Sequence, residues 1–369
     1  MTALDTLRAT YANRHALSPQ NTAIGCITQA VPIELVLAAG LTPRRIFGDP
    51  ATPPGPGARY MEDEMDGEVR SIFDQILRGR LAGLPLVLLP RVSEQHLQLH
   101  YYIAEVRNWE PGVQIPPVQI VDVMQTAYWS TGRYVHARMT ELAATLGAIG
   151  HVPTPQSLRD AIAATNAMRR ALTRVNDLRR QGRIAGSDVF RLCALFGAMP
   201  VDGFLSLAQG VADTAGAPAA GPRLMISGAA QDDPSFYEAI EAAGAHVAAD
   251  DHVAGERVFA RLIDETIDPM EAIAEHYHLH APGIRQFPQK PQDARFLATC
   301  RAAGVGGDLC VLETGDDTLG WDWPRRRDQL REMGIASQLL TGQDYFHPDP
   351  SARRTAIDRL LSAIRETAS

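Results

Sequence analysis

The stretch RLMISGAAQDDPSFYEAIEAAGAHVAADD, Arg223–Asp251, contains one complete β-α-β unit. RLMISG is an apolar run of strand length, as expected of a parallel strand buried on both faces. AAQDD turns the chain. PSFYEAIEAAG has helical spacing, with Pro234 near its start and Gly244 at its end. AHVAADD begins the next strand. The unit recurs downstream as DLCVLE, the loop ETGDDTLGWDWP, the helix PRRRDQLREMG and the strand IASQLL, before a last helix, DPSARRTAIDRLLSAIRE. It recurs upstream as the strand AIGCITQAVP, the helices PIELVLAAG and EVRSIFDQILRGRLAG, the strand LPLVLLP, a helix capped by Ser93, and the strand VQIPPVQIVDVM. TPRRIFGDPATPPGPG reads as a loop, and residues 2–18 as an amphipathic helix.

Between these halves the pattern is helical. In TPQSLRDAIAATNAMRRALTRVNDLRR, Thr154 is a candidate cap. Leu158, Ile162, Ala163, Met168, Leu172 and Val175 form an apolar face, and the arginines line the other. TAGAPAAGP, 214–222, reads as a linker. The expected class is α/β: two doubly wound parallel-sheet lobes with an intervening helical segment, divided as 1–130, 131–215 and 220–369.

The chain has 369 residues, 45% hydrophobic, with net charge -8, and Lys290 is its sole lysine. No basic stripe suggests nucleic acid, and no long apolar run suggests a membrane. Lacking an apolar leader-like segment at its start, it is expected in the cytoplasm. Its four cysteines, Cys26, Cys193, Cys300 and Cys310, form no CxxC pair.

In open parallel sheets, ligands bind beyond the carboxyl ends of the strands. That rule selects the loops Thr28–Pro32, Pro90–Gln95, Ser227–Asp233 and Thr314–Trp321. ISGAAQDDP, with Ser227, Gly228 and Asp232, lacks both GxGxxG and GK[ST], so it carries no nucleotide motif. The acid pairs Asp232/Asp233, Asp250/Asp251 and Asp316/Asp317 read as turns or caps. His276, His278 and His280 would share a face on a strand, but the preceding PMEAIAEH places them at a helix end, where they splay apart. No metal site is expected. Cys26, Cys193 and Cys310 sit in core-like runs.

The chain resembles the subunits of the 2-hydroxyacyl-CoA dehydratase and benzoyl-CoA reductase family. The resemblance runs through GCITQAVPIELVLAAGLTPRRI, the central segment with Asn166 and Arg169 of ATNAMRRAL, the β-α-β unit quoted above, and GDDTLGWDWPRRRDQLREMGI. It implies a heterodimer of homologous subunits, an ATP-driven activator that injects one electron, and radical chemistry on an acyl-CoA thioester. It also implies a [4Fe–4S] cluster held by three cysteines, one from each of three loops. Those positions fall here on Thr28, Ser93 and Asp316. Cys26 and Cys310 are the alternative ligands. The expectation is therefore a subunit with no cluster of its own, working beside a cluster-bearing homologue (or a second copy of itself). The alternative is a stand-alone, non-redox binding or regulatory protein that reuses the fold.

Overall fold

A computed structural model describes residues 2–16, 22–124, 126–280, 283, 288–314 and 316–368. Two four-stranded sheets, each wholly parallel, form its frame. The first contains β1 (Ala23–Ile27), β2 (Thr42–Ile46), β3 (Val87–Pro90) and β4 (Val118–Val121) in the order β2-β1-β3-β4. The second contains β5 (Arg223–Gly228), β6 (His246–Asp251), β7 (Gly307–Glu313) and β8 (Ala336–Gln343) in the order β6-β5-β7-β8. The two lobes thus repeat one topology, and each reverses its winding once, between β1 and β3 and between β5 and β7.

In the first lobe, α1 (Ala3–Ala12), α2 (Ile33–Ala38), α3 (Gly67–Leu77) and α4 (Glu94–Trp109) accompany the strands. The middle is α5 (Trp129–Ile149), α6 (Pro155–Arg180), α7 (Gly186–Ala194) and α8 (Val201–Asp213). The second lobe carries α9 (Ser235–Ala242), α10 (Pro269–Leu279), α11 (Gln289–Ala303), α12 (Asp317–Glu332) and α13 (Pro350–Ala368). No helix among the described residues is long and apolar enough to cross a membrane.

The α/β class and the two parallel lobes are as expected, and several local readings change. TPRRI is a strand, β2, rather than loop: it lies at the sheet edge, where Pro43 removes no needed ladder donor. The expected helix over 2–18 ends at Ala12, a short 3₁₀ turn follows over Arg14–Ala16, and 17–18 lie outside the described residues. α12 starts at Asp317, seven residues before the proline that suggested its first turn, so Pro324 lies inside it. Thr154 and Ser93 cap α6 and α4 as expected.

The apolar face of α6 differs in one instructive way. Leu158, Ile162, Met168, Leu172 and Val175 are buried, but Ala163 is exposed, and Arg169 and Arg179 are buried with the apolar residues. Arg169 Nη2 donates to Glu34 Oε1 of α2 at 2.8 Å, and Tyr277 of α10 donates its hydroxyl to Glu34 Oε2 at 2.8 Å. Arg179 Nη1 donates to Asp250 Oδ2 of β6 at 2.5 Å, and its Nη2 donates to Glu256. Asn166 pairs with both the amide and the carbonyl of Ile263, at 2.9 Å each. Asp250 and Asp251 are therefore not turn residues. They end a buried strand and face opposite ways, Asp250 to Arg179 and Asp251 to Arg257 at 2.7 Å.

Removing one partner of a buried pair strands a charge out of water. Arg169→Met is therefore expected to cost about 3–5 kcal/mol in urea unfolding. The double variant Arg169→Met/Glu34→Met should cost clearly less than the sum of the two singles. Additive single effects would show that the pair is not coupled.

Candidate functional site

Each sheet opens a crevice where its winding reverses, and the two crevices face one cavity of about 90 Å³. Thr28 follows β1, Ser93 follows β3, Ala229, Ala230 and Asp232 follow β5, and Glu313 and Asp316 end and follow β7. Asp66 and Glu68, at the start of α3, close the first-lobe side, with His96 beside them. The four loops selected from the sequence thus converge, and Thr28, Ser93, Asp316 and Asp232 line the same space.

Three of these residues are fixed by local backbone needs. Thr28 has φ 59, the one non-glycine residue with positive φ among those described. For a β-branched residue that is a real outlier, of the kind that concentrates at functional sites. Its Oγ1 accepts from Ala30 N at 3.2 Å, which holds the turn. Ser93 caps α4, its Oγ accepting from His96 N and lying 2.8 Å from His96 Nδ1. Asp316 caps α12, accepting from Leu319 N at 3.2 Å.

Ser227 and Gly228 stand behind the cavity rather than in it. Ser227 Oγ donates to Asp308 Oδ2 at 3.0 Å, both groups buried. Gly228 has φ 104, and a Cβ there would lie 2.2 Å from Val311 O, so no other residue fits the close strand approach. Asp233 bonds Ser235 N at the start of α9, whereas Asp232 accepts from the Tyr345 hydroxyl and faces the cavity. The lobes meet here: a Cβ on Gly67 would collide with the Tyr345 ring, and Gly67 N lies 3.4 Å from Glu313 Oε2.

The cavity is acidic. Asp66, Glu68, Asp232, Glu313 and Asp316 all line it. Burial, reinforced by Asp66 and Asp232, pushes the Glu313 carboxyl up to about 8. Burial raises Asp232 to about 6 against the opposing hydrogen bond from Tyr345. Burial, then the fields of Asp232 and Glu313, raises Glu68 well above the usual range. These groups hold protons that solvated carboxylates would release, which suits a site that transfers or retains protons near neutral pH. Sequence reading missed Glu68, Glu313 and His96. The first two lie in a helix start and a strand end, and only the meeting of the lobes brings them together.

The cysteines lie elsewhere. Cys26 is wholly buried in β1 with its Sγ 3.4 Å from Ile24 O, and Cys310 packs with Leu319 and Trp323. Burial pushes both thiols up to about 12. The histidine run does end a helix: His278 Nε2 bonds Thr126 O at 2.7 Å, while His276 and His280 sit one turn apart.

With this geometry in hand, comparison becomes informative. The family model for 2-hydroxyglutaryl-CoA dehydratase, D-component, matches residues 28–363. The chain belongs to this family. No curated protein gives a significant match. The [4Fe–4S] cluster that the family resemblance implies does not fit the residues present. The three positions meet at one cavity, but their donors are two alcohols and a carboxylate. Clusters require soft thiolates, and the thiols of this family member are buried, protonated and outside the cavity.

The raised carboxyls set a pH dependence. The folded state binds these protons more tightly than the unfolded chain, so their contribution is full below about 4.5 and is lost as pH rises through about 8. Unfolding followed by denaturant between these limits should show stability falling with pH. Glu313→Gln should flatten the upper part of that decline. An unchanged slope in that variant would show that Glu313 ionises normally.

Proposed function

We propose that this chain is the cluster-free subunit of a 2-hydroxyacyl-CoA dehydratase-type enzyme, acting beside a homologous, cluster-bearing subunit on an acyl-CoA thioester. The observation that carries the reading is a family match over residues 28–363 combined with a cavity, lined by the converging loops, that no cysteine lines. Electrons enter such an assembly through an ATP-dependent activator and the partner's cluster.

This chain's own part is binding and proton handling. Ser93, His96 and Thr28 offer polar groups to a carbonyl or hydroxyl. Glu313, its carboxyl pushed up to about 8, can donate a hydrogen bond or proton where an ionised carboxylate could not, and Glu68 beside it is raised in the same direction.

The test is anaerobic purification of the chain alone and with a co-expressed homologue that carries the three cysteines, with iron and acid-labile sulfide quantified. The expected result is no stoichiometric iron in the chain alone and about four irons in the complex, the content of one [4Fe–4S] centre. Dehydration of a 2-hydroxyacyl-CoA should require both chains. About four irons in the isolated chain would overturn the reading. So would a failure of the two chains to associate, which would favour the stand-alone binding protein. Installing Thr28→Cys, Ser93→Cys and Asp316→Cys together should allow the isolated chain to take up iron and sulfide on reconstitution, provided these are the ligand positions.

A further inference from the structure

Behind Thr28 the cavity continues into a second, smaller chamber of about 30 Å³, which shares Thr28, Glu68 and Asp232 with the first. Its walls include Phe47, Phe190, Ala194 and Ala254, and Arg45 lines it together with Gln29. Arg45 is 3% exposed. Its Nη2 donates to Gln29 Oε1 and, at 3.4 Å, to Phe196 O, while Nε and Nη1 have no partner.

That arrangement is unlike the other deeply buried arginines. Arg169, Arg179 and Arg257 each hold a carboxylate. Among the described residues, Arg45 forms no ion pair. A guanidinium taken out of water without a counter-ion costs several kcal/mol, so a buried, unpaired one that borders a cavity is a group awaiting an anion. We propose that this chamber binds a small organic carboxylate, whose charge pairs with the Arg45 guanidinium in its wall and whose short apolar stem lies along Phe47 and Phe190.

The chamber is large enough for the carboxylate and its first carbons, since one water needs about 10–15 Å³ by the same measure of volume. The rest of a longer ligand would extend past Thr28 into the larger cavity. Glu68 borders the chamber without an ion pair to Arg45; burial and neighbouring acids raise its carboxyl well above the usual range, against the opposing field of Arg45. Charge-assisted hydrogen bonds to a planar fork explain the choice of carboxylate over a neutral group. The inference concerns this chain alone and holds whether or not a homologous subunit stands beside it.

The experiment is thermal unfolding of the purified full-length chain with butyrate, with butyramide, and with sodium chloride at matched ionic strength. Butyrate should raise the Tm by a few degrees in a saturable manner, as any ligand of the native state does. Butyramide and chloride should not. Arg45→Gln should weaken the butyrate effect by about 10- to 100-fold, the loss expected for hydrogen bonds to a charged donor. Ala194→Leu, which fills the chamber without touching the charge, should abolish it. Equal stabilisation by butyramide, no saturable effect of butyrate, or a full effect in a folded Arg45→Gln variant would each overturn the proposal. If Arg45→Gln does not fold, the comparison of acid with amide on the unaltered chain still decides.

Discussion

One helix holds the two lobes at a fixed separation, and it does so with two guanidinium groups. Arg169 of α6 grips Glu34 in the first lobe, and Arg179 grips Asp250 and Glu256 in the second. Ten residues of helix separate them, about 15 Å along the axis. Buried ion pairs are weak evidence for net stability, because desolvation offsets much of the Coulomb attraction. Their geometry is nonetheless unforgiving, since neither arginine can shift without leaving a carboxylate uncompensated. The Asn166 clamp on Ile263 and the Tyr277 hydroxyl on Glu34 add neutral hydrogen bonds to the same frame. The cavity between the lobes is therefore a consequence of α6. If α6 turned or slid, the loops after β1, β3, β5 and β7 would no longer face one another.

The site that this frame creates is dominated by acids. The loops that converge here bring Thr28, Ser93 and Asp316 together with a surrounding set of acids, and no cysteine lines the cavity. An iron–sulfur cluster brings its own charge and soft metal–sulfur bonding. Five carboxylates crowd one space, and burial with mutual repulsion raises the proton affinity of Glu68, Asp232 and Glu313. Arg45 lies beside the same space with no carboxylate in an ion pair among the described residues. Acids of raised proton affinity on one wall and a cation without an ion pair on another give the two halves of the space opposite characters.

Much of the frame could be read from the sequence because parallel strands buried on both faces announce themselves as continuous apolar runs. RLMISG, DLCVLE and LPLVLLP each became a strand. TPRRI could not be read that way: an edge strand with two arginines and a proline carries no such run, and its pairing with β1 is a tertiary fact. The arginines of α6 misled for a related reason. Helical periodicity assigns charged residues to the solvent face, and only the carboxylates brought by α2 and β6 allow Arg169 and Arg179 to be buried. The convergence of Thr28, Ser93, Asp232 and Asp316 was legible because strand ends are ordered by topology. Glu68, Glu313, His96 and Arg45 were not, because their roles depend on distances between lobes that sequence spacing does not encode.

Thr28 ties these observations together. A β-branched residue in the left-handed region is strained, and such strain persists where the surroundings over-determine the backbone. The surroundings here are specific. Gln29, the next residue, accepts from Arg45 and donates to Cys193 O at 3.4 Å, so the turn is held against both β2 and α7. The first-lobe cavity wall and the second chamber are therefore parts of one device, since the hydrogen bond that orients Arg45 also holds the turn that presents Thr28. The strained turn therefore presents Thr28 to the cavity whatever the residue there is used for.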